Sequence, residues 1–367
     1  MMMEIRTLEK DELLPWNSIV EQFPNATLFH TMEWLTFLEK TYHLKKLPLG
    51  LYRDGRMVGL FPMLMTRKGL FRILGSPLTG WGTPYMGPLI EAGLLNEAMH
   101  AFDDFIKGLK IHYVEVRFPQ ADLTLPSTSG FHSEPVYTYI LDLDGGEDKV
   151  WGRLDGKCRN MVRKAIKNDV KIVEPEDRSW VEDFFPMLLR SFSKTGQVPA
   201  RTKEFYYRLW DDLMPTRKLK VLFAEYEGKR IAAGVFLIYG DTVYFNAGGA
   251  YGEYNRVAPN NLIHWHLIKW AVANGFRKYD FCGKGIESID HFKASFGPEV
   301  AARTQFAKAS GLTARVGKAV YGELEPAVRA LQYQVNRLGG VFRKSRNHEN
   351  TETDVSGLMR ARGGNTG

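Results

Sequence analysis

With 367 residues, 44% of them hydrophobic and 25% charged, the chain is long enough for two domains with cores of their own and too apolar for a disordered one. No apolar run nears the roughly 18 residues of a membrane-spanning helix, and Cys158 and Cys282 are too few for a disulfide framework or a zinc site. The net charge of +7 fits an anionic partner or a solvated basic surface, and the total alone does not separate the two.

The N-terminal MMMEIRTLEKDELLPW is acidic and polar where a secretory leader needs a basic start and an apolar stretch. The expected location is the cytoplasm, with peripheral contact at the inner membrane face; both thiols are expected to be reduced, and Cys158 to be inert. ATLFHTMEWLTFLEKTY follows at helical spacing, with Trp34 as a core anchor.

Residues 49–64, LGLYRDGRMVGLFPML, read as a β-hairpin turning at Arg53-Asp54-Gly55. Residues 223–238, FAEYEGKRIAAGVFLI, repeat the plan with a turn at Glu227-Gly228-Lys229. Tyr52 aligns with Tyr226 and Arg56 with Arg230, both at an offset of 174 (226 − 52 and 230 − 56). After the first hairpin come a Gly-rich stretch, a helix over about Leu94 to Leu109 and the strand HYVEVRF. After the second come VYFNAGGAYGEYNRVAP, a helix over about Asn260 to Asn274 and the strand RKYDFCG. Pro259 suits the first turn of that helix and Gly275 its end. The matched order predicts a duplicated α/β fold with domains at 1–145 and 146–310. A helical extension at 311–342 and a disordered tail at 343–367 are expected to follow.

Between the halves, Arg153 to Lys171 carries seven basic residues against Asp155 and Asp169. In KCRNMVRKAIK, Arg159, Arg163 and Lys167 recur every four residues, so one helix face is cationic. That face fits a diphosphate, a tRNA backbone or an anionic membrane, and equally a solvated surface. A second helical stretch, about Trp180 to Leu213, is interrupted by SKTGQVPAR. The chain has no GxSxG, Walker loop, HExxH or Cys/His zinc spacing, and His30, His264 and His266 show no metal geometry, so no metal site is expected.

Four segments, ATLFHTMEWLTFLEKTY, KCRNMVRKAIKNDVKI, APNNLIHWHLIKWAVANGFRKYDFCG and HFKASFG, together resemble the Fem-type peptidoglycan bridge aminoacyltransferases and the BioF-like acetyltransferase superfamily. The resemblance covers about residues 20 to 310 and implies two tandem GNAT-like (acyl-CoA N-acyltransferase) domains with the active-site cleft in the second. It implies transfer of an acyl or aminoacyl group to an amine of a cell-envelope precursor, either a peptidoglycan stem peptide or a surface-polysaccharide amino sugar. No tightly bound cofactor is implied. The co-substrate would be aminoacyl-tRNA or acyl-CoA, with an acyl carrier protein as a further donor, and the acceptor would carry phosphate.

By the same resemblance Phe292-Lys293 would lie at the active site, the lysine opposing transition-state charge. Residue spacing alone fits a surface lysine between Phe292 and Phe296. Arg201 and Tyr206 would meet the acceptor's phosphate, although Arg201 also suits a helix start. Asp280, ending a strand beside the cleft, either takes the amine proton or caps the following loop. At the place where coenzyme A would be cradled, EYNRVAPNN offers Arg256 and Asn261 but lacks the family's glycines, and the tyrosine common near Asn261 in the bridge-forming enzymes is absent. No sustained heptads suggest the tRNA-associated coiled-coil hairpin of some relatives. The alternative function is a catalytically inactive duplication binding nucleic acid or a lipid-phosphate carrier. A well-formed cleft around Lys293 separates the two.

Overall fold

A computed structural model describes residues 3–120, 123, 130–193 and 199–311. The expected C-terminal helix and tail lie outside these residues. In the first half the order is β1 (Met3–Thr7), α1 (Trp16–Val20), α2 (Met32–Tyr42), β2 (Lys45–Arg53), β3 (Arg56–Lys68) and β4 (Phe71–Ser76). Then come β5 (Leu89–Ile90), α3 (Leu95–Gly108), β6 (Tyr113–Arg117) and β7 (His132–Asp142). The second half begins with α4 (Gly146–Arg153), α5 (Gly156–Lys167), β8 (Lys171–Val173), α6 (Trp180–Ser193) and α7 (Lys203–Leu213). It continues through β9 (Leu219–Tyr226), β10 (Lys229–Tyr239), β11 (Thr242–Ala250), α8 (Pro259–Ala273), β12 (Lys278–Asp280), α9 (Glu287–Ala294) and β13 (Glu299–Ala309).

The two halves repeat one topology. In each, a short strand pairs antiparallel with the first strand of the hairpin, β1 on β2 and β8 on β9. The hairpins β2–β3 and β9–β10 each add a third antiparallel strand, β4 or β11. A helix, α3 or α8, then crosses over to a strand parallel to the third, β6 on β4 and β12 on β11. The duplication expected from the offset of 174 is therefore present strand by strand. The helix-to-strand crossover suits a parallel neighbour, which a tight turn cannot supply.

The last strand of each half is exchanged. β7 follows β6 in the chain but pairs with β12 of the second half, whereas β13 follows β12 and pairs with β6 of the first. β7 and β13 also pair with each other over nine positions, from Glu299 opposite Ile140 to Ala307 opposite His132. The result is one sheet in the order β1-β2-β3-β4-β6-β13-β7-β12-β11-β10-β9-β8, with β5 on β3. Hydrogen bonding across these strands interlocks the two halves of the chain.

Apolar packing follows the same logic. One buried cluster gathers the α3 side of the first half, with Phe61, Phe102 and Val116. A second joins α4, α5 and α8 to the second half of the sheet. The third runs through both halves: Trp34, Phe37 and Leu38 on α2 meet Phe205, Leu209 and Leu213 on α7, with Phe37 and Phe205 edge to face at 5.0 Å. Trp34 is fully buried and donates its indole N–H to Thr83 Oγ1 at 2.9 Å, so it is a core anchor as expected. α6 lies so close to β11 that a Cβ at Gly249 would sit 2.6 Å from the backbone nitrogen of Leu188. Only glycine permits that approach.

Candidate active site

A cleft of about 970 Å³ opens where the two halves meet. The second half contributes the facing surfaces of β10 and β11, the first turns of α8, the 282–286 loop and α9. The first half supplies Phe29, the 80–85 loop and Arg117, and the exchanged strands add Pro135–Thr138 from β7 and Arg303 from β13. The lining of the cleft is thus drawn from both halves of the chain. The strand exchange and the shared core bring first-half residues to its wall.

Lys293 stands in this cleft at only 6% exposure. Its Nζ donates to the carbonyls of Gly283 at 2.6 Å and Cys282 at 3.4 Å. No carboxylate pairs with it among the described residues, and burial lowers its pKa from the ordinary lysine value. An ammonium has three donors, so after these two bonds one remains. The loop it holds is a tight one: Cys282 and Gly283 have φ of 51° and 90°. Phe292 also lines the cleft, its ring edge-on to His264 at 5.2 Å.

His264, on α8, was not expected as a site residue. It is 4% exposed, hydrogen-bonds Tyr279 Oη through Nδ1 at 2.7 Å and stacks on Phe281 at 5.6 Å. Burial first and the Lys293 charge second hold its pKa near 3, so the imidazole is neutral.

Arg201 and Tyr206 both line the cleft. Arg201 donates through Nη1 to the backbone and side-chain oxygens of Asn246, both at 2.8 Å, and its guanidinium lies 5.0 Å from the Phe205 ring centroid. No carboxylate neutralises it among the described residues. Tyr206 is buried beside it, and burial raises its hydroxyl pKa.

The remaining candidates lie elsewhere. Asp280 is fully buried behind the cleft wall rather than in it. Oδ1 accepts from Thr138 Oγ1 at 2.5 Å and from the Cys282 N–H at 2.8 Å, and Oδ2 accepts from the Tyr85 hydroxyl. With both oxygens occupied, its position is that of the loop cap and not of a proton acceptor facing the cleft. Arg159 and Arg163 also do not line the cleft. α5 turns Cys158, Val162 and Ala165 into the second-half core and its cationic face to solvent. Arg159 folds back on the carbonyls of Leu154 and Gly152, and Arg163 lies exposed 5.3 Å from the Trp151 ring. Arg256 is exposed on a 3-10 turn outside the cleft. Asn261 faces Cys158 Sγ at 3.5 Å, leaving its neighbour Asn260 to line the cleft. Cys158 is buried, and burial raises its thiol pKa, as an inert thiol requires.

The chemistry this arrangement can do is bounded by its groups. It offers a buried, unneutralised cation, a second cation at Arg201 and a neutral imidazole around a space large enough for two reactants. Among the described residues no cluster of three His, Cys, Asp or Glu side chains could hold a metal ion, and no helix is long and apolar enough to cross a membrane.

Residues 156–294 match the acetyltransferase (GNAT) domain family. The UDP-N-acetylmuramoylpentapeptide-lysine N(6)-alanyltransferase of Weissella viridescens is 22% identical over 191 residues, 51% of this chain and 55% of that relative. The match thus spans about half the length of that protein. Among solved structures, the fold is similar to that of FemX, with a TM-score of 0.67 at 14% identity over 88% of this chain and all of the other. It is also similar to the C-terminal domain of a putative lysylphosphatidylglycerol synthetase from Agrobacterium fabrum, with a TM-score of 0.53 at 12% identity over 84% and 97% of the two chains. The chain therefore has a tandem GNAT-like α/β fold similar to that of FemX, and its second half matches the GNAT domain family.

Proposed function

We propose that this chain transfers an acyl or aminoacyl group to an amine on a phosphorylated cell-envelope precursor. The observation that carries the reading is Lys293: a buried ammonium with no carboxylate partner, facing the same cleft as the equally unneutralised Arg201. Burying such a charge is costly unless something anionic meets it. In acyl transfer that something is the tetrahedral oxyanion, which exists fully only in the transition state.

In the reaction we infer, the acceptor amine attacks the carbonyl carbon of the donor. The new C–N bond forms, and the C–O bond of an aminoacyl ester or the C–S bond of a thioester breaks. The leaving oxygen or sulfur takes up the proton that the amine gives off. Lys293 opposes charge on the carbonyl oxygen, and Phe292 and His264 supply an apolar wall that excludes water and strengthens that interaction. Arg201, with Tyr206 beside it, holds the acceptor's phosphate with a fork suited to paired oxygens. The division we favour places this machinery in residues 146–310, completed by the first-half loop. The donor is aminoacyl-tRNA or acyl-CoA, used as a co-substrate, and the Weissella alanyltransferase supports a peptidoglycan precursor as acceptor.

The test is direct. The full chain is incubated with UDP-linked muramyl peptides or amino-sugar precursors, together with charged tRNA or acyl-CoA. An acceptor heavier by one acyl or aminoacyl group is expected by mass spectrometry. Absence of such a product with every donor, from a folded protein, overturns the reading.

A further inference from the structure

Among the cleft arginines, Arg303 stands apart in how little of its bonding capacity is used. Arg117 is engaged by Glu115, Gln305, Thr79 and the carbonyl of Pro84. Among the described residues, Arg303, on the exchanged strand β13 opposite Val136, donates only through Nη1, to the carbonyl of Ala302 at 2.8 Å. Its Nε is buried with no hydrogen-bond partner, and no carboxylate pairs with it among the described residues. The guanidinium lies 5.6 Å from the centroid of the Tyr85 ring, and both residues line the cleft.

A buried N–H left without an acceptor is unfavourable, and native structures rarely leave one unless a ligand or water completes it. With one Nη1 N–H engaged, four of the five guanidinium donors remain, among them Nε–H and the Nη2 N–H beside it. The latter two form one edge of the guanidinium, two near-parallel N–H groups whose spacing matches the two oxygens of a carboxylate. Arg201 touches the same first-half loop at the carbonyl of Gly82, 3.4 Å from its Nη2. The two arginines thus both touch the 80–85 loop, and Asp290 is the one carboxylate lining the cleft among the described residues, with Oδ2 accepting the Gly285 N–H.

We propose that Arg303 is a carboxylate-binding point in the cleft, so that the acceptor carries a carboxylate as well as the phosphate assigned to Arg201. The pairing with phosphate rests on the proposed function, whereas the carboxylate point itself does not. A ligand anchored at both arginines would span the first-half loop and present the part between them to Lys293.

The test uses the full chain and N-acetyl-dialanine with either a free C-terminal carboxylate or a C-terminal amide, titrated calorimetrically. The wild type should prefer the free acid by roughly tenfold or more, the range of a charge-assisted hydrogen-bonded pair. Arg303→Gln should abolish the preference, and Arg201→Gln should leave it in place. Arg303→Gln should also melt at or above the wild-type temperature, since it removes an unpartnered buried N–H. An arginine serving only the fold would lower it. Equal binding of acid and amide by the wild type, or a preference surviving in Arg303→Gln, overturns the proposal. Pyrophosphate titrated against the same variants reports separately on the phosphate reading, because its affinity should fall with Arg201→Gln and not with Arg303→Gln.

Discussion

The Tyr85 hydroxyl, from the first-half loop, donates to Asp280, at the end of the second half's crossover strand. The two residues are 195 positions apart, and both are buried. Burial first, and the Asp280 charge second, push the Tyr85 pKa well above its ordinary value, so it remains a donor. This bond ties the two halves together directly behind the cleft, and Thr138 on the exchanged β7 secures the other oxygen. Tyr85→Phe keeps the ring and removes only the hydroxyl, leaving a buried carboxylate oxygen unsatisfied. The expected loss of stability is about 1–3 kcal/mol, read from urea unfolding. A wild-type midpoint in the Phe variant would show that the bond contributes nothing.

Lys293 has two measurable roles, and they are separable. Lys293→Met removes the proposed oxyanion partner and should lower turnover by about 2.7–4 kcal/mol of transition-state stabilisation, with substrate affinity little changed. It also deprives the carbonyls of Cys282 and Gly283 of a donor, so a modest fall in melting temperature is expected. Lys293→Arg should recover part of the turnover, because a planar fork does not place its charge where a compact ammonium does. Turnover per folded molecule decides the matter. Full turnover in a folded Met variant removes the lysine from the reaction.

The parts of this molecule visible in the sequence are those written in local pattern. The paired hairpins, the helix opened by Pro259 and the turn chemistry at Gly55 and Gly228 all read correctly, because strand alternation and glycine placement are properties of neighbours along the chain. The strand exchange was not legible: nothing in residues 132–142 distinguishes pairing with β12 from pairing with β6. For the same reason Tyr85 and Arg303 escaped notice, since they reach the cleft only through that exchange and the loop it positions. Arg159 and Arg163 erred in the opposite sense. Their spacing correctly marks a cationic helix face, but spacing does not tell which way the face points, and α5 packs its other side on α8.

That placement revises what charge reversal at Arg163 should do. Arg163→Glu alters an exposed side chain whose only hydrogen bond among the described residues runs to Asn160 Oδ1 at 3.2 Å. Stability should change by no more than about 0.5 kcal/mol, the usual range at the surface. Affinity for a small anion such as pyrophosphate, held within the cleft, should be unchanged at physiological salt, where screening falls off over about 8 Å. A several-fold loss of pyrophosphate binding in this variant would mean that α5 reaches the cleft after all.

Acid should weaken the fold through two histidines. His30 is fully buried between the Thr27 N–H on Nδ1 and the Met86 carbonyl on Nε2, and burial holds its pKa near 4. His264 is held near 3 by burial and the Lys293 charge. Both values lie below the 6.5 of an unfolded histidine, so between these limits the unfolded chain binds protons that the native chain refuses. Stability is therefore complete above pH 6.5 and declines as pH falls, by about 1.4 kcal/mol per pH unit for each histidine, until the native pKa is reached. His30→Gln can accept from Thr27 and donate to Met86 without titrating. Unfolding free energies measured by urea between pH 6 and 4.5 should then fall about half as steeply from this pair of sites as in the wild type, with the His264 contribution remaining. Carboxylates contribute equally to both proteins, so the difference between the two slopes isolates His30. If the slopes coincide, His30 is protonated in the native state, with Nδ1 donating to the Thr27 hydroxyl, 2.8 Å away, in place of accepting from the Thr27 N–H.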